Sequence, residues 1–410
     1  MAWRISEEGF MEPVKAVINN LKLRTSYGFT GNTEIGVYES LATLGSNSWT
    51  IGNQLVSGFY PNRIPNPDLK WEKTGQFDIG FDLGLFNNRL RLTADYYYKK
   101  TTDLLYNVAI PSASGYDSML KNIGSVQNKG YELSIESDNL SGAFSWTTAF
   151  NISFNRNKVL ELGGETYKDV GTYDDHLKTS DIRRLIVGQP IGVFYGYRFD
   201  GIFQNEAECA QQTSSPSPIG VGLRRYKDLN GDGKIDATND REILGDANPK
   251  FFGGMTNTFA YKGFELNVFL QYSYGNKIFN YNAMELESPT GGQNVYQDLV
   301  NRWTPTNPSN EYQKATTNRN NIVSDRFIED GSFLKLKTVS LSYSFPKLNW
   351  KHIGGLRLYV TGQNLLTWTK YRGYDPEVSY RGASTLEAGE DFGGYPQART
   401  FMFGIKLDIK

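Results

Sequence analysis

The residues best suited to chemistry lie in one acidic stretch, YKDLNGDGKIDATNDREILG, at positions 226–245. Its oxygen-bearing side chains follow the spacing of an EF-hand-like calcium loop, with a glycine, Gly233, where the chain must turn sharply. The calcium ligands predicted from this spacing are Asp228, Asn230, Asp232, the carbonyl oxygen of Lys234, Asp236 and Asp240. Calcium is a hard cation that prefers many oxygen ligands on a flexible loop. The stretch therefore predicts a calcium-organised loop, and calcium is the one cofactor expected.

The twelfth position of this loop departs from the pattern. Asn239 stands where the usual bidentate glutamate would complete the calcium shell, and Asp240 follows one residue later. No amphipathic helices flank the stretch, so a true EF-hand is not expected. The alternative is a solvated acidic turn, in which the Asn-Gly and Asp-Gly pairs serve only the backbone conformation.

Other groupings of reactive residues are missing from the sequence. The single cysteine, Cys209, excludes an internal disulfide framework, and His176 and His352 stand far apart without a partner motif. The glycine pairs lack a phosphate-binding context, and no two carboxylates stand out as a general acid and base. With 43 basic and 44 acidic residues, the chain shows no basic excess for nucleic acid. We predict a protein that is not an enzyme and does not bind nucleic acid.

The elements that position these residues are predicted to be long β-strands. At 76–100, QFDIGFDLGLFNNRLRLTADYYYKK, apolar and polar residues alternate with period two on both sides of Asn87-Asn88. The same alternation recurs at 21–29, 131–135, 144–154, 259–272, 339–345, 356–360 and 401–409. The strands at 77–85 and 90–98 approach the roughly 9–11 residues that a barrel strand needs to cross a bilayer. Tyr96, Tyr97 and Tyr98 end the second strand, as expected of an aromatic girdle at the membrane interface.

The lengths of the connections favour a membrane barrel over a soluble sandwich. Short turns are predicted at Phe86–Arg89, Asp138–Gly142 and Lys262-Gly263. Long polar stretches are predicted at 158–190, 204–250, 275–330 and 369–398. Short turns at one rim and long loops at the other are typical of outer-membrane barrels. The long stretches also carry aromatic residues whose flat faces suit stacking on sugar rings, with packing inside their own loops as the alternative. They are Tyr173, Trp303, Tyr312, Tyr371, Tyr374 and Tyr395.

Targeting signals are not apparent in the sequence. No run of about 18 apolar residues predicts a transmembrane helix. The first ten residues, MAWRISEEGF, contain two acids and no apolar core, so they do not form a secretory signal. The chain is therefore expected to be either a soluble protein or a fragment of a longer one.

Several stretches, in order, resemble the SusC/RagA-type TonB-linked outer-membrane transporters of Bacteroidota. They are LKLRTSYGFTGN at 21–32, PNPDLKWEKTGQFDIGFD at 65–82, NIGSVQNKGYELSI at 122–135, GQPIGVFYGYRFDGIFQ at 188–204, DLNGDGKIDATNDREILGDANPKFFGG at 228–254, SFLKLKTVSLSYSFP at 332–346 and LRLYVTGQNLLTWTKYRGYDPE at 356–377. The resemblance covers nearly the whole chain. It implies a barrel occluded by an N-terminal plug and energised by TonB with ExbB and ExbD. It also implies a SusD-like surface lipoprotein that caps the extracellular mouth, and oligosaccharide or peptide substrates.

The resemblance further implies which part of such a transporter the chain represents. Residues 1–410 are expected to be the C-terminal part of an all-β, antiparallel transmembrane barrel of roughly a dozen strands, an incomplete barrel lacking the plug, the TonB box and the signal peptide. Residues 226–245 would be a calcium-loop-like insertion in an extracellular loop, where Asp228, Asn230, Asp232 and Asp236 match the family's acidic loop. The extra residue before Asp240 departs from that loop. The terminal Lys410 replaces the aromatic residue typical of the family.

The sequence is compatible with three functions. The first is the C-terminal barrel segment of an outer-membrane, multi-pass, TonB-dependent nutrient importer that contacts outer-membrane lipid. The second is a secreted, soluble, β-rich glycan-binding protein. The third, a passive channel without a plug, is disfavoured because the chain has too few strands and no signal peptide. An incomplete barrel also leaves two unpaired strand edges that lipid does not satisfy, so these residues alone are not expected to import a substrate.

Overall fold

The structure is a computed structural model of the 410-residue chain. It describes residues 1–32, 36–110, 112–116, 118–171, 179, 182–288, 294–317, 321–345, 353–377, 379–382 and 384–409. Tyr173, His176, His352 and Lys410 lie outside these described residues.

Eleven antiparallel strands form one large sheet, which we call the wall. The strands are β1 (Ala2–Arg4), β2 (Ile18–Asn32), β3 (Glu72–Leu85), β4 (Leu90–Thr102), β5 (Ser125–Leu140), β6 (Phe144–Glu161), β7 (Phe251–Tyr261), β8 (Phe264–Tyr274), β9 (Phe333–Phe345), β10 (Ile353–Thr369) and β11 (Thr400–Ile409). Each strand pairs with the next one along the chain. This up-and-down order is the topology of a membrane barrel, and it confirms the predicted all-β fold.

The register of the wall places apolar residues on one face. Leu83 of β3 lies opposite Leu92 of β4, which lies opposite Ile135 of β5, which lies opposite Phe150 of β6. The series continues with Met255, Leu270 and Leu336 on β7, β8 and β9. Large side chains of this face are exposed, and on β11 Phe403 is 82% exposed. Because successive strand residues point to opposite faces, the alternation in the sequence becomes a lipid-facing surface and a polar one.

Most wall strands extend beyond the segments in which the sequence alternates. β5 spans 16 residues and β6 spans 18, because backbone pairing continues through polar residues such as Asn155 and Lys158. Because β5 continues to Leu140 and β6 begins at Phe144, the turn predicted at Asp138–Gly142 is reduced to 141–143. The three tyrosines do not end β4, which runs on to Thr102. Tyr96 instead packs against Tyr131 across the lipid-facing surface, with ring centroids 5.0 Å apart.

Short and long connections alternate along the wall, as the sequence predicts. The turn between β3 and β4 is tight because Phe86, Asn87 and Asn88 all adopt positive φ, a conformation that asparagine tolerates well. At the opposite rim, β2 and β3 are joined through a hairpin of Thr43–Ile51 with Gln54–Arg63, and β4 and β5 through Leu105–Ala109 with Ser118–Asn122. By the barrel arrangement, the rim with the long connections is the extracellular one.

The remaining three long connections, 162–250, 275–332 and 370–399, fold together into a layer that we call the loop layer. The first contains the strands Tyr167–Val170, Arg183–Ile186, Val193–Tyr197, Phe199–Ile202, Arg224–Tyr226 and Arg241–Asp246 and the helix Glu206–Cys209. The second contains the strands Lys277–Asn280 and Ile328–Asp330, the helix Tyr281–Leu286 and the 3-10 helices Gln297–Asn301 and Asp325–Phe327. The third contributes the strand Glu390–Asp391, which pairs with Lys277–Asn280. Three further 3-10 helices, Ile5–Glu7, Gly9–Val14 and Ser112–Ser114, lie outside the loop layer.

The main hydrophobic core lies in the loop layer and not in the wall. Phe194, Phe279, Met284 and Phe327 are fully buried there and come from the first two connections of the layer. Phe392 of the third connection packs against them. The loops therefore form a folded unit with its own core, whereas the wall presents its apolar face outward. In the described part of the chain, no helix is long and apolar enough to span a membrane.

Candidate functional site

The polar face of the wall carries charged side chains that hydrogen-bond across neighbouring strands. Arg24 of β2 donates through Nε to Asp82 Oδ2 of β3 at 3.0 Å and lies 3.0 Å from Asp95 Oδ1 of β4 through Nη2. Farther along, Arg91 Nε lies 3.0 Å from Glu136 Oε2, on β4 and β5. Each pair is partly exposed, so it is screened by water and contributes little to stability. The face is suited to line a water-filled passage.

One loop reaches down onto this polar face. Lys335 of β9 is buried, and its Nζ lies 2.6 Å from Asp375 Oδ1 and 2.5 Å from Glu377 Oε2, both in the 370–399 connection. Gln271 of β8 and Lys337 of β9 also donate to Glu377. Burial would raise the pKa of Asp375, but hydrogen bonds from Lys335 and from two backbone amides lower it. The third long loop is thus fixed to the inner surface of the wall.

A single buried carboxylate joins all three connections of the loop layer. Glu287, which is 1% exposed, follows the helix Tyr281–Leu286 of the second connection. Its Oε2 accepts a hydrogen bond from Arg326 Nε at 2.7 Å and lies 3.7 Å from Arg224 Nη2 of the first connection. Its Oε1 accepts from Arg372 Nη1 of the third connection at 3.4 Å. Arg372 also lies 2.9 Å from Glu329.

A second buried ion pair joins the first connection to the third. Arg183 Nε donates to Glu390 Oε1 at 2.9 Å, and both side chains are buried. Burial lowers the pKa of Arg183 and raises that of Glu390, each against the attraction of its partner. Nearby, the Tyr371 hydroxyl donates to Asp391 Oδ2 at 2.6 Å, and burial raises the pKa of Tyr371. The Arg183–Glu390 pair fixes the first connection relative to the third, because a buried charge is costly without its partner.

The predicted calcium loop lies in the 162–250 connection, at the extracellular rim. Its carboxylates turn toward backbone amides of the same loop. Asp228 accepts from the amides of Gly231 and Gly233 at 2.6 and 2.7 Å, and Asp232 accepts from the amide of Lys234 at 2.8 Å. Asn230 donates to Asp232 Oδ2 at 3.0 Å. The described residues bring no three carboxylate, imidazole or thiolate side chains together in an arrangement that would hold a metal ion.

The structure locates the last predicted ligand of the loop. Asp240 is fully buried, and its two oxygens accept from the amides of Leu229 and Asp236 at 2.8 Å each. Asn239 is exposed and donates to Asp236, whose pKa is lowered by the backbone amides of Asn239 and Thr238. The carboxylate that bonds across the loop is therefore Asp240, which lies one residue after the twelfth position. The donors are oxygens, as calcium prefers, but these contacts also describe a self-contained acidic turn, so calcium binding stays a prediction.

The aromatic residues considered for ligand stacking divide into two groups. Tyr312 and Tyr371 are buried, and Trp303 is partly buried and donates to Gln204 Oε1 at 3.1 Å. Tyr374 and Tyr395 are 83% and 90% exposed. Gln397 N donates to Asp375 Oδ2 at 3.2 Å, so the segments that carry these two tyrosines meet directly above the anchor at Lys335.

The charged residues that organise the site carry no local sequence signal. Lys335, Glu287 and Arg183 do not form a motif with their partners, and Arg183 and Glu390 are separated by 207 positions. The alternation of β9 does predict that Lys335 lies on the polar face of the strand. Its burial, however, depends on a loop from elsewhere in the chain.

Comparisons with known proteins identify the family. Residues 14–272 match the model of the TonB dependent receptor-like β-barrel, and the chain belongs to this family. It is 40% identical to TonB-dependent receptor P3 of Formosa agariphila, over 99% of this chain and 41% of that protein. It is 29% identical to TonB-dependent receptor SusC of Bacteroides thetaiotaomicron, over 100% of this chain and 39% of that protein. Among solved structures, the RagAB peptide transporter matches with a TM-score of 0.82 and 27% identity, over 99% of this chain and 42% of that one.

These matches confirm the resemblance to SusC/RagA-type proteins and the prediction of a C-terminal barrel portion. The chain spans about 41% of the length of the Formosa agariphila receptors P3 and P26. Family membership and the continuous apolar face of the wall support the predicted location in the outer membrane over the secreted, soluble alternative.

Proposed function

We propose that the chain forms part of the barrel wall and the extracellular loop layer of a TonB-dependent nutrient importer of the SusC/RagA type. The observation that carries this proposal is the wall itself: eleven antiparallel strands with a lipid-facing surface, a polar inner surface and a folded loop layer at one rim. The relatives support it, because they are receptors and a peptide transporter by name. The protein binds and passes its substrate without covalent chemistry.

The proposed substrate is an oligosaccharide or a peptide. Tyr374 and Tyr395 offer two exposed aromatic rings beside the polar inner surface, where a sugar ring or a peptide side chain could stack. The charged side chains on the inner surface, such as Arg24 and Arg91, would hydrogen-bond to polar groups of the substrate.

The proposed partners follow from the family. A SusD-like surface lipoprotein would contact the loop layer from outside, since that layer is the part of the chain that projects from the membrane. The TonB–ExbB–ExbD complex would act through the N-terminal part of the transporter. Outer-membrane lipid would cover the apolar face of the wall.

The location and the native size can be tested together. An antibody against residues 375–395 would be used to blot outer-membrane fractions of the source organism. A band in that fraction far above 46.3 kDa is expected, which would place the chain within a longer transporter. A band in the soluble fraction would contradict the proposal, whereas a membrane band at 46.3 kDa would require a separate partner chain to complete the barrel.

Substrate stacking can be tested at the exposed tyrosines. We expect Tyr395→Ala and Tyr374→Ala each to weaken binding of the transported oligosaccharide or peptide about threefold to tenfold, because each removes one stacking ring. Calorimetry on the detergent-solubilised transporter would measure the affinity.

The matched control is Tyr395→Phe, which retains the aromatic face and should bind nearly as tightly as the unmodified protein. Equal losses in the alanine and phenylalanine variants would show that the hydroxyl, and not the ring, contacts the substrate.

A further inference from the structure

Five basic side chains form a row on the lipid-facing surface, at the ends of β3 to β6 that lie nearest the long loops. They are Lys73, Lys100, Lys129, Arg156 and Lys158. Their outward direction follows from parity, since Lys73 shares the face of Phe77, Lys100 that of Tyr98, and Arg156 that of Phe154. All five are exposed.

Only one acidic side chain shares these outward positions among the described residues of the strand ends. Glu161 pairs with Ser125 beyond a bulge in β6, which places it on the outward face. Glu72 and Glu132 point to the polar face, and Glu72 accepts there from Asn32 and from the amide of Leu105. Within the described residues, no carboxylate forms an ion pair with Lys73, Lys100 or Lys129. With five basic side chains against one acid, the row presents a net positive charge toward the membrane.

A cavity of about 540 Å³ adjoins the row at Lys73. The rings of Trp71 and Phe29 pack over Gly31 and Gly75 on the outer surface of the sheet. A Cβ atom at Gly31 would lie 3.3 Å from Trp71 Cε3, and one at Gly75 would lie 3.1 Å from Phe29 Cε1. Lys73 Nζ lies 4.5 Å from the centroid of Phe29. Lys70 adds a second ammonium group to the lining, and Glu72 and Asp103 add two carboxylates. Asp103 accepts from Thr102, and Glu72 accepts from Asn32 and from the amide of Leu105. The cavity combines aromatic faces with two cations and two acids that hydrogen-bond within the chain.

The height of this cavity corresponds to the lipid headgroups. Phe29 is eleven residues from Ile18, the first residue of β2 at the opposite rim. At about 3.3 Å per residue this is roughly 36 Å along the strand. With a tilt of about 40° the height is roughly 28 Å, just above the apolar band of about 25 Å in outer-membrane barrels. Lys73, paired with Gly31, lies higher still.

The basic row is a local feature of the wall. At the same rim, the outward positions of β8 to β11 carry the uncharged residues Tyr274, Leu334, Trp368 and Phe401. An aromatic rim alone would satisfy the membrane interface. The positive charge is concentrated on β3 to β6, and this local concentration indicates that the row recognises an anionic group.

We propose that this row and the adjoining cavity bind a phosphorylated glycolipid of the outer leaflet. Lysine ammonium groups are point charges that pair with phosphate, and their attraction is strengthened beside the low-dielectric hydrocarbon. Phe29 and Trp71 contact the sugar and the upper acyl carbons. The inference rests on the barrel's place in the outer membrane and is independent of what the protein transports.

The test measures lipid binding to the protein in its native assembly. Native mass spectrometry would count adducts with bisphosphorylated lipid A, dephosphorylated lipid A or phosphatidylethanolamine added to the detergent-purified assembly. We expect preferential binding of the bisphosphorylated form. Lys100→Gln should weaken it about fivefold, and Lys73→Gln with Lys100→Gln about 25-fold, since each basic residue near an anionic membrane surface contributes about 1 kcal/mol.

The matched control is Lys99→Gln, which removes a lysine from the same end of β4 but from the polar face. It should bind lipid A as the unmodified protein does, and all variants should retain the mobility of a folded barrel on unheated gels. Equal binding of the dephosphorylated lipid, or an equal loss in Lys99→Gln, would overturn the proposal.

Discussion

At the scale of single residues, Glu287 joins the three connections of the loop layer. It is buried, and three arginines from three connections depend on its charge. We expect Glu287→Gln to destabilise the loop layer by about 3–5 kcal/mol, because buried guanidinium groups would lose their counter-charge. Thermal unfolding in detergent and limited proteolysis of the 275–332 connection would detect this. Glu311→Gln, an exposed carboxylate of the same connection, should leave both measurements unchanged. Comparable melting of the two variants would show that Glu287 is not needed.

Calcium binding is a second prediction at the residue scale. If the loop binds calcium, chelation should increase protease cleavage within 226–245, because the ion would compensate the repulsion between Asp228, Asp232 and Asp236. Asp232→Asn should weaken the calcium affinity at least about tenfold, as loss of a supporting contact already costs that much at metal sites. Asp298→Asn, an exposed acid in another connection, is the control. Cleavage that is the same with and without chelator would establish the self-contained turn instead.

At the scale of elements, the 370–399 connection is held to β9 by the charge of Asp375. Its folded pKa lies below the ordinary value of 3.8, so the stabilisation is complete above pH 3.8 and is lost as the pH falls through the lower folded value. Glu377 of the same connection lies beside Lys335 and Lys337 as well. We expect pepsin to cleave within 370–399 increasingly below about pH 3.8, relative to a reference site in the 43–63 hairpin.

The variant Asp375→Asn tests the assignment of this pH dependence. Because it removes the charge at every pH, the loop should be cleaved already at about pH 4.5, with little further change on acidification. Asp68→Asn, an exposed acid outside the loop layer, should retain the unmodified profile. A profile for Asp375→Asn that still rises steeply below pH 3.8 would assign the effect to other carboxylates.

The elements also show how far the sequence alone leads. Period-two alternation is a local property, so it predicted the wall strands and their two faces, as at Leu83 and Leu92. The strand ends were missed because pairing at residues such as Lys158 is imposed by the neighbouring strand and not by hydrophobicity. The spacing of its oxygen-bearing residues identifies the acidic loop, but this spacing does not predict that Asp240 is buried. Contacts such as Arg183 with Glu390 depend on how distant loops pack, for which a single sequence gives no signal.

At the scale of the whole molecule, the wall is an open sheet with two edges. β11 pairs with β10 on one side, and among the described residues no strand pairs with its other side. At the opposite edge, β1 covers β2 only at Lys22–Arg24, so the rest of β2 is open there. An unpaired backbone group in hydrocarbon costs several kcal/mol, so these strands need further strands to close a barrel in lipid.

This requirement gives a prediction for the isolated chain. Refolded alone and added to a planar bilayer, the 410 residues should give no steady conductance and no heat-dependent shift in gel mobility, because the open edges prevent stable insertion. A full-length relative such as the Formosa agariphila receptor, prepared identically, should show the mobility shift and serves as the control. Steady single-channel conductance from the isolated chain would contradict the argument, since it would mean that the edges pair with each other or with a second copy to close a pore.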